Sequence, residues 1–176
     1  MNYATIKKRD IANGPGVRVS LFVSGCTHRC PGCFNEIAWS FSYGEPFTEA
    51  VENELLEALD SDYVKGLSLL GGEPFEPQNQ RTLVLFLNKM KKKLPEKTVW
   101  CYSGYTLEEL LGKVPSRCRS EVTDEMLSYI NVLVDGRFVQ EKKNIRLRFR
   151  GSENQRLIDL DKTRAAGEIV LWDEKQ

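Results

Sequence analysis

Apolar and polar residues alternate along this chain in two rhythms, short apolar runs and longer segments with helical periodicity. Runs of four or five apolar residues typically form buried strands, and four stand out: VSLFV (19–23), LSLL (67–70), VWCY (99–102) and INVLV (130–134). Between them, apolar residues recur every three or four positions and predict amphipathic helices. One stripe holds Phe47, Val51, Leu55 and Leu59, and the next holds Leu83, Leu87, Met90 and Leu94. Strands alternating with helices predict an α/β fold with a mostly parallel sheet and right-handed crossovers.

Capping signals mark two further helices, and the pattern then becomes less regular. Thr106 with Glu109 predicts a capping box, and Thr123 is predicted to cap the following helix. After Gly136, the alternation of apolar and basic residues in IRLRFR (145–150) predicts a half-buried strand. Its basic face is either solvated or a docking strip for an acidic protein surface or a ligand carboxylate. RLIDLD and EIVLW predict a last pair of strands around KTRAAG.

Each of the four apolar runs is followed at once by a permissive turn. The turns are Ser24-Gly25, Gly71-Gly72, Ser103-Gly104 and Asp135-Gly136. A glycine after one strand is ordinary turn chemistry. Four such turns, each directly after a predicted strand, indicate a ligand site. Ligands of parallel α/β folds bind where the loops from the carboxyl ends of the strands converge.

Length and charge limit the function classes. A chain of 176 residues is long enough for one domain with a real core, predicted here over residues 1–176. Lys plus Arg and Asp plus Glu both number 25, so no global positive field attracts nucleic acid. No apolar run approaches a membrane span, and the start MNYATIKKRD has no apolar signal stretch. We expect a cytoplasmic protein with no nucleic-acid or membrane partner.

Three cysteines crowd the loop SGCTHRCPGC at residues 24–33. Cys26, Cys30 and Cys33 have the spacing C-x3-C-x2-C, which lets one loop surround a single centre. In a reducing compartment such clusters indicate metal or redox sites. Structural zinc prefers four ligands and catalytic zinc usually recruits histidine, whereas this chain has one histidine. A four-iron cluster on three thiolates leaves one iron open to a small molecule.

The remaining candidates near these cysteines are interpreted as structural. His28 lies too close to both neighbouring cysteines to reach the same metal and is interpreted as a loop-surface residue. Cys101 is expected to be a small core residue. Cys118 is expected to be an incidental loop thiol whose pKa is lowered by the flanking Arg117 and Arg119.

A second motif, GGEP at Gly71 to Pro74, follows the second apolar run. Two glycines let a ligand lie close to the backbone, and Glu73 can accept hydrogen bonds from an ammonium group. Alone, the motif is a common turn. Beside a C-x3-C-x2-C loop it resembles the motif with which the radical S-adenosylmethionine (SAM) superfamily binds the amino group of SAM, and the cysteine loop resembles that superfamily's signature.

Other segments narrow the resemblance. NGPGVRVSLFVSGC (13–26) looks like the leading segment of glycyl-radical-enzyme activases. CPGCFNEIAW, INVLVDGRFV and FRGSENQ resemble the branch that activates anaerobic ribonucleoside-triphosphate reductase. The similarity runs from about Asp10 to Gln155, and the segment after Gln155 adds nothing to the resemblance. Gly32 stands where many superfamily members have an aromatic residue, which fits this branch.

The resemblance implies a partial, open (β/α) barrel of radical SAM type, with a [4Fe-4S] cluster on the three loop cysteines. The reduced cluster would bind SAM and cleave it to methionine and a 5'-deoxyadenosyl radical, which takes a hydrogen atom from a glycine of the reductase. An electron donor such as flavodoxin or ferredoxin is implied. The cofactors carry the chemistry, so no acid–base or nucleophilic catalytic residue is expected.

The resemblance also assigns cofactor contacts. The backbone around Gly32, Cys33 and Phe34 would contact the adenosyl group, although Phe34 has an equal alternative as a core residue. Ser103 and Asp135, at two later strand ends, are candidates for ribose or carboxylate contacts.

Within GGEP, Gly71 would lie at the SAM site, and Gly72 and Glu73 would hold the methionine amine. Asn13 and Arg18 would shape the cysteine loop or help docking, with a purely structural role as the alternative.

Two rival functions stay open at this point. One is another small radical SAM enzyme, either an activase for a different glycyl-radical enzyme or a small-molecule enzyme such as a deazaguanine synthase. The other is a zinc-stabilised binding module without catalysis. Anaerobic reconstitution separates the module from the enzymes, because only the enzymes should show iron-sulfur absorption and SAM cleavage.

Overall fold

The computed structural model describes residues 1–173, and its elements alternate as the apolar pattern predicts. The strands are β1 (Asn2–Asp10), β2 (Val17–Val23), β3 (Glu45–Pro46), β4 (Val64–Gly71), β5 (Thr98–Tyr102), β6 (Val132–Asp135) and β7 (Arg156–Asp159). The α-helices are α1 (Glu49–Leu59), α2 (Pro77–Lys93), α3 (Leu107–Leu110), α4 (Thr123–Ser128) and α5 (Leu160–Ala166). Short 3-10 turns cover Glu36–Trp39 and Gln140–Lys142. No helix within residues 1–173 is long and apolar enough to cross a membrane.

The seven strands form one mixed sheet in the order β3-β1-β2-β4-β5-β6-β7. The four predicted strands are confirmed as β2, β4, β5 and β6, and they pair in parallel. Both margins of the sheet are antiparallel, so the expectation of a mostly parallel sheet holds for its middle only. The edge strands β3 and β7 do not pair with each other, so the sheet is not closed. The partial barrel and the single domain over residues 1–176 stay predictions, and residues 174–176 lie outside the described part.

The parallel strands follow one another across the sheet without reversal. Right-handed crossovers then place the connecting helices on one face. Except for Asp135 at the end of β6, that helix-covered face is apolar along the inner strands, and its fully buried side chains include Val19, Leu21, Leu67, Leu69, Val99 and Leu133. Alternate residues point to the opposite face. We call this opposite side the site face, and its side chains include Arg18, Ser68, Trp100 and Tyr102.

A buried arginine joins strands β2, β4 and β5 on the site face. Arg18 is 1% exposed and donates to Ser68 Oγ at 2.8 Å, to Thr98 Oγ1 at 3.1 Å and to the carbonyls of Leu67 and Thr98. Burial lowers the pKa of Arg18 to about 10. The carbonyl of Asn13 accepts from Ser68 Oγ at 2.5 Å, which pins the leading segment to the sheet. The contacts of both residues are therefore structural, although Asn13 also reaches the cavity described below.

The two predicted helix caps differ in outcome. The capping box is confirmed, because Thr106 accepts from the backbone of Glu109 and the Glu109 carboxylate accepts from the backbone of Thr106. Thr123 is not a cap; it is the first residue of α4, and Val122 occupies the cap position. The Thr123 hydroxyl instead donates to Gln80 Oε1 at 2.7 Å, because α4 packs against α2.

The predicted strand at residues 145–150 is wrong. These residues form turns, Ile145 is 91% exposed, and Phe149 has a φ of +57°. Tertiary packing explains the difference, because the ring of Phe149 packs against Trp100 and Trp172 in an aromatic cluster. That cluster covers part of the site face.

The last predicted pair of strands is half right. RLID forms β7, antiparallel to β6. The first five residues of KTRAAG lie in α5, and Gly167 caps its carboxyl end; Asp159 caps its amino end by accepting from the backbone of Lys162. EIVLW contributes only an isolated bridge between Leu171 and Ile158.

Candidate iron-sulfur and cofactor site

A cavity of about 460 Å³ opens at the carboxyl ends of the parallel strands. Its walls come from the loops after β2, β4, β5 and β6 and from residues 138–151. Most of the predicted site residues meet there: Cys26, Cys30, Gly32, Cys33, Phe34, Gly71, Gly72, Glu73 and Ser103. The predicted binding edge is therefore the edge that carries the cavity.

The three loop cysteines are free thiols that are each partly exposed. Burial, with the charge of Glu73 as a smaller cause, raises the pKa of the Cys26 thiol to about 12. Burial also raises the pKa of Cys30, against the opposing effect of a hydrogen bond from the backbone of Phe138. A metal binds thiolates, so iron must displace the protons of these sulfurs. No three His, Cys, Asp or Glu side chains within residues 1–173 form a group that could hold one metal ion.

His28 is not a loop-surface residue, contrary to its interpretation from the sequence. Its side chain is 2% exposed, with Nε2 3.1 Å from Glu73 Oε2 and its ring 4.2 Å from the ring of Tyr105. The ring fits because Gly104 has no side chain, since a Cβ there would lie 2.5 Å from His28 Cδ2. His28 thus joins the cysteine loop to the loops after β4 and β5.

Glu73 is the centre of this junction. Its Oε1 accepts from the backbone of Phe75 at 2.8 Å and from Ser103 Oγ at 2.9 Å. Its Oε2 accepts from the backbone of Gly104 at 2.7 Å and faces His28. The side chain is 1% exposed. Both carboxylate oxygens are thus engaged by the protein, in a buried network that fixes three loops relative to one another.

A second glutamate ties the same cysteine loop from outside the cavity. Glu76 Oε1 accepts from Thr27 N at 2.8 Å and from Thr27 Oγ1 at 2.5 Å. Two adjacent residues of the loop, Thr27 and His28, are therefore held by carboxylates from the segment after β4.

Close backbone approach explains the glycines of GGEP. A Cβ on Gly72 would lie 2.5 Å from the Gly25 carbonyl oxygen and 2.9 Å from that of Ala38. Gly71 has a φ of +112°, and a Cβ there would lie 2.6 Å from backbone atoms of Val23. Any larger residue at position 72 would therefore push on the backbone next to Cys26.

The other predicted cofactor contacts divide between the cavity and the rest of the fold. Phe34 lines the cavity and is 84% exposed, so it is not a core residue. Ser103 lines the cavity and is hydrogen-bonded to Glu73. The cavity walls do not include Asp135, whose carboxylate accepts from the backbone of Leu107 at 2.8 Å and from Arg156 Nε at 2.9 Å.

Three cavity residues carry polar atoms for which sequence reasoning assigned no site role. The atoms His28 Nδ1, Trp39 Nε1 and Tyr102 Oη are buried, with no hydrogen-bond partner in the described part of the chain. Burial raises the pKa of Tyr102, which keeps its hydroxyl protonated. Buried polar atoms are normally paired, so these three fit a polar organic ligand beside the thiols. The sequence could have indicated a site role for Tyr102. It lies at a strand end two residues after Trp100, so strand alternation puts both side chains on the same face of the sheet.

The two remaining cysteines are core residues. Cys101 is fully buried in β5, as predicted. Cys118 lies in a loop, as predicted, but its side chain is fully buried and burial raises its pKa, so the expectation of a lowered pKa is wrong. The flanking arginines act elsewhere: Arg117 donates to Tyr105 Oη at 3.1 Å and Arg119 pairs with Asp124.

Comparison with known proteins agrees with this geometry. The family described as "4Fe-4S single cluster domain" matches residues 12–158, which include every site residue discussed above. The anaerobic ribonucleoside-triphosphate reductase-activating protein of Pasteurella multocida (strain Pm70) is 44% identical over 157 residues, 88% of this chain and 95% of that protein. Its counterpart in Escherichia coli (strain K12) is 43% identical over 88% of this chain and 96% of that protein. The one from Enterobacteria phage T4 is 39% identical over 89% and 93%. This chain therefore belongs to the family of anaerobic ribonucleoside-triphosphate reductase-activating proteins.

Proposed function

We propose that this chain is a radical SAM enzyme that generates a glycyl radical on anaerobic ribonucleoside-triphosphate reductase. The observation that carries the proposal is the meeting of two motifs at one cavity. Three free thiols of one loop and the GGEP loop line the same walls. Glu73 and His28 lock the two loops together. The membership of the chain in the activating-protein family supports the identity of the partner.

In this proposal Cys26, Cys30 and Cys33 would hold a [4Fe-4S] cluster through their three thiolates, which would leave one position on the cluster for SAM. His28 is not assigned as an iron ligand: its Nε2 faces Glu73, and its Nδ1, which has no partner among the described residues, is left for the bound SAM. When bound, the cluster and SAM together supply a carbon-centred radical that can take a hydrogen atom from a glycine. The protein positions these groups and excludes water.

The chain's own groups determine how SAM is held. We assign the backbone of Gly32, Cys33 and Phe34 to the adenosyl group, and the backbone of Gly71 and Gly72 to the methionine end. Glu73 acts on the amine mainly by holding this loop, because both its oxygens are engaged.

The later strand ends play unequal parts in the proposal. Ser103, in the cavity wall, is assigned to a ribose or carboxylate contact. Asp135 acts indirectly, because Arg156 and the amino end of α3 occupy its carboxylate. Tyr102 and Trp39 are added as donors to the bound cofactor, since their polar atoms have no partner among the described residues.

Two proteins complete the reaction. A one-electron donor such as flavodoxin or ferredoxin supplies the electron. The reductase itself closes the open cavity, which keeps water and excess reductant away from the reactive group. SAM cleavage without the reductase should therefore be slow and uncoupled.

The test mixes anaerobically reconstituted protein, reductant, SAM and the reductase, followed by electron paramagnetic resonance. A doublet from a glycine-centred radical on the reductase is expected, and it should vanish when the radical-bearing glycine of the reductase is replaced by alanine. A doublet that survives that replacement would refute the proposal. Conversion of a small molecule without any partner would favour another radical SAM enzyme.

Cysteine variants test the ligand assignment. Replacing Cys26, Cys30 or Cys33 by alanine should abolish iron-sulfur absorption. Cys101→Ala and Cys118→Ala are the matched controls and should keep roughly the wild-type iron content, because both side chains lie in the core. Loss of the cluster in Cys118→Ala would overturn the assignment. Bound zinc without iron-sulfur absorption in the wild-type protein would favour a zinc-stabilised module.

A further inference from the structure

The charge of this chain is unevenly distributed, although its net charge is zero. Residues 137–155, called the basic segment below, hold two acidic residues and six basic ones, for a net charge of +4. The other 157 residues hold 19 basic and 23 acidic residues, for a net charge of −4. The basic residues of the segment are Arg137, Lys142, Lys143, Arg146, Arg148 and Arg150. A local positive field therefore exists where the overall composition shows none.

The basic segment forms one wall of the cavity. Phe138, Lys143, Ile145 and Leu147 are among its lining residues. Ile145 is 91% exposed, and Phe34 from the cysteine loop, which also lines the cavity, is 84% exposed. A single exposed apolar side chain is ordinary. Two large ones on the same cavity, next to exposed cations, are typical of a surface that a partner covers.

The segment is firmly built despite its exposure. Gln155 Oε1 accepts from the backbone of Gly151 at 2.8 Å and of Ser152 at 3.1 Å, and its Nε2 donates to the Gly136 carbonyl at 3.0 Å. The ring of Phe149 is anchored in the aromatic cluster. The exposed cations therefore stand on a fixed scaffold, which lowers the entropy that binding a partner must overcome.

We infer that the basic segment is the docking surface for an acidic face of the reductase next to its radical-bearing glycine. The inference rests on the proposed function, because a glycine that reacts in this cavity must bring its surrounding surface against the cavity wall. Lys142 and Arg146 steer and orient the acidic face, and Ile145 and Phe34 make apolar contacts at the mouth. Opposite charges of this kind mainly raise the association rate and fix the orientation.

The test compares two double variants with the same change in charge. Lys142→Glu/Arg146→Glu reverses two exposed cations of the basic segment that do not line the cavity. Lys92→Glu/Lys93→Glu reverses two exposed cations at the end of α2 and serves as the control. Each reconstituted variant is titrated against the reductase at low and at physiological salt, and SAM cleavage with a chemical reductant is measured without the reductase.

The segment variant should bind the reductase roughly tenfold more weakly and lose most of the salt dependence of the wild type. Its SAM cleavage without the reductase should match the wild type, and the control should bind normally. Ile145→Ser should weaken binding several-fold without changing the salt dependence.

Wild-type affinity in the segment variant, or equal weakening in the control, would overturn the inference. Because docking is read from affinity, its failure is distinct from a failure of the proposed function, which would show as a missing glycyl radical with wild-type protein.

Discussion

The same strands present very different side chains to the two faces of the sheet. On the helix-covered face, β4 places Leu67 and Leu69 in a core with no exposed atoms. On the site face, its neighbours are Ser68, which is bonded to a buried arginine, and Leu70, which lines the cavity. One face is held by apolar packing and the other by a polar network that keeps unpaired atoms near a cavity.

The difference shows where this fold gives up stability for function. Leaving Tyr102 Oη and Trp39 Nε1 buried without partners among the described residues is costly for the protein alone. Such violations of the usual rules are expected at functional sites and are offset elsewhere. Here the helix-covered face supplies the offset, so stability and cofactor binding should respond to substitutions on different faces.

The largest expected effect comes from the adjacent pair Leu69 and Leu70. Leu69→Ala would leave a cavity in the closed core, and it should lower the free energy of unfolding by about 2–5 kcal/mol. Leu70→Ala should cost less, because the truncated side chain borders a cavity that water can enter, but it should weaken SAM binding. Urea unfolding of the apo-protein and SAM titration of the reconstituted protein measure both.

The same two variants can also contradict the contrast between the two faces of the sheet. Equal losses of unfolding free energy in both variants would show that the site face is packed as tightly as the core. Normal SAM affinity in a folded Leu70→Ala protein would place SAM away from the end of β4.

A smaller effect is expected from the two glutamates that hold the cysteine loop. Glu73→Gln puts an amide nitrogen against donors from Phe75, Ser103, Gly104 and His28, so at least one pair is lost, at a cost of about 1–3 kcal/mol. The cysteine loop should loosen, with lower iron content and weaker SAM binding.

Glu76→Gln is the matched control for this variant. Both of its hydrogen bonds from Thr27 reach the same oxygen, so the amide oxygen of glutamine can keep them. The control should unfold within about 1 kcal/mol of the wild type and bind iron normally. Comparable iron loss in the two variants would mean that any contact with the cysteine loop matters equally, and that Glu73 has no special role.

The contrast between the faces also explains how far the sequence could predict the fold. Strands buried on the helix side have strong apolar runs, and all four were found. The capping box was found because its signal is local. The antiparallel strand β1 was missed since its sequence NYATIKKRD has no apolar run, and its inner residues are only partly buried. Residues 145–150 were misassigned because packing of the Phe149 ring against Trp100 and Trp172, which are distant in the sequence, determines their conformation. The local alternation of apolar and basic residues does not.

For the site, spacing predicted the three cysteines, and position after a strand together with the family resemblance predicted GGEP, while tertiary contacts determined the rest. His28 is buried by Glu73 and Gly104, which no local pattern reveals. Strand alternation puts Asp135 on the same face as the core residue Leu133, in agreement with its position outside the cavity walls. The same alternation puts Tyr102 on the site face.

Tyr102→Phe tests a single polar atom of the site face, and its expected effect is smaller. Removing a buried hydroxyl that has no partner in the described chain should leave the free energy of unfolding unchanged or slightly higher. If the hydroxyl binds the cofactor, SAM affinity should fall about three- to tenfold, the loss of one hydrogen bond. Unchanged SAM affinity together with unchanged unfolding would assign the hydroxyl to water.

The smallest expected effect lies on the helix-covered side and depends on pH. Arg156 bonds Glu108 and lowers the pKa of that carboxyl from its ordinary 4.5 to about 2. A lowered folded-state pKa contributes stability that is complete above about pH 4.5 and is lost as the pH falls toward about 2. Glu108→Gln should therefore unfold more easily than the wild type near neutral pH, by about 0.5–1 kcal/mol because the pair is a third exposed. By about pH 3 most of the difference should be gone. Urea midpoints from about pH 6 to pH 3 measure this, with SAM cleavage at neutral pH as the second readout. A pH-independent difference would show that the side chain acts by packing, and a loss of SAM cleavage would show that the ionic cluster around Asp135 belongs to the site after all.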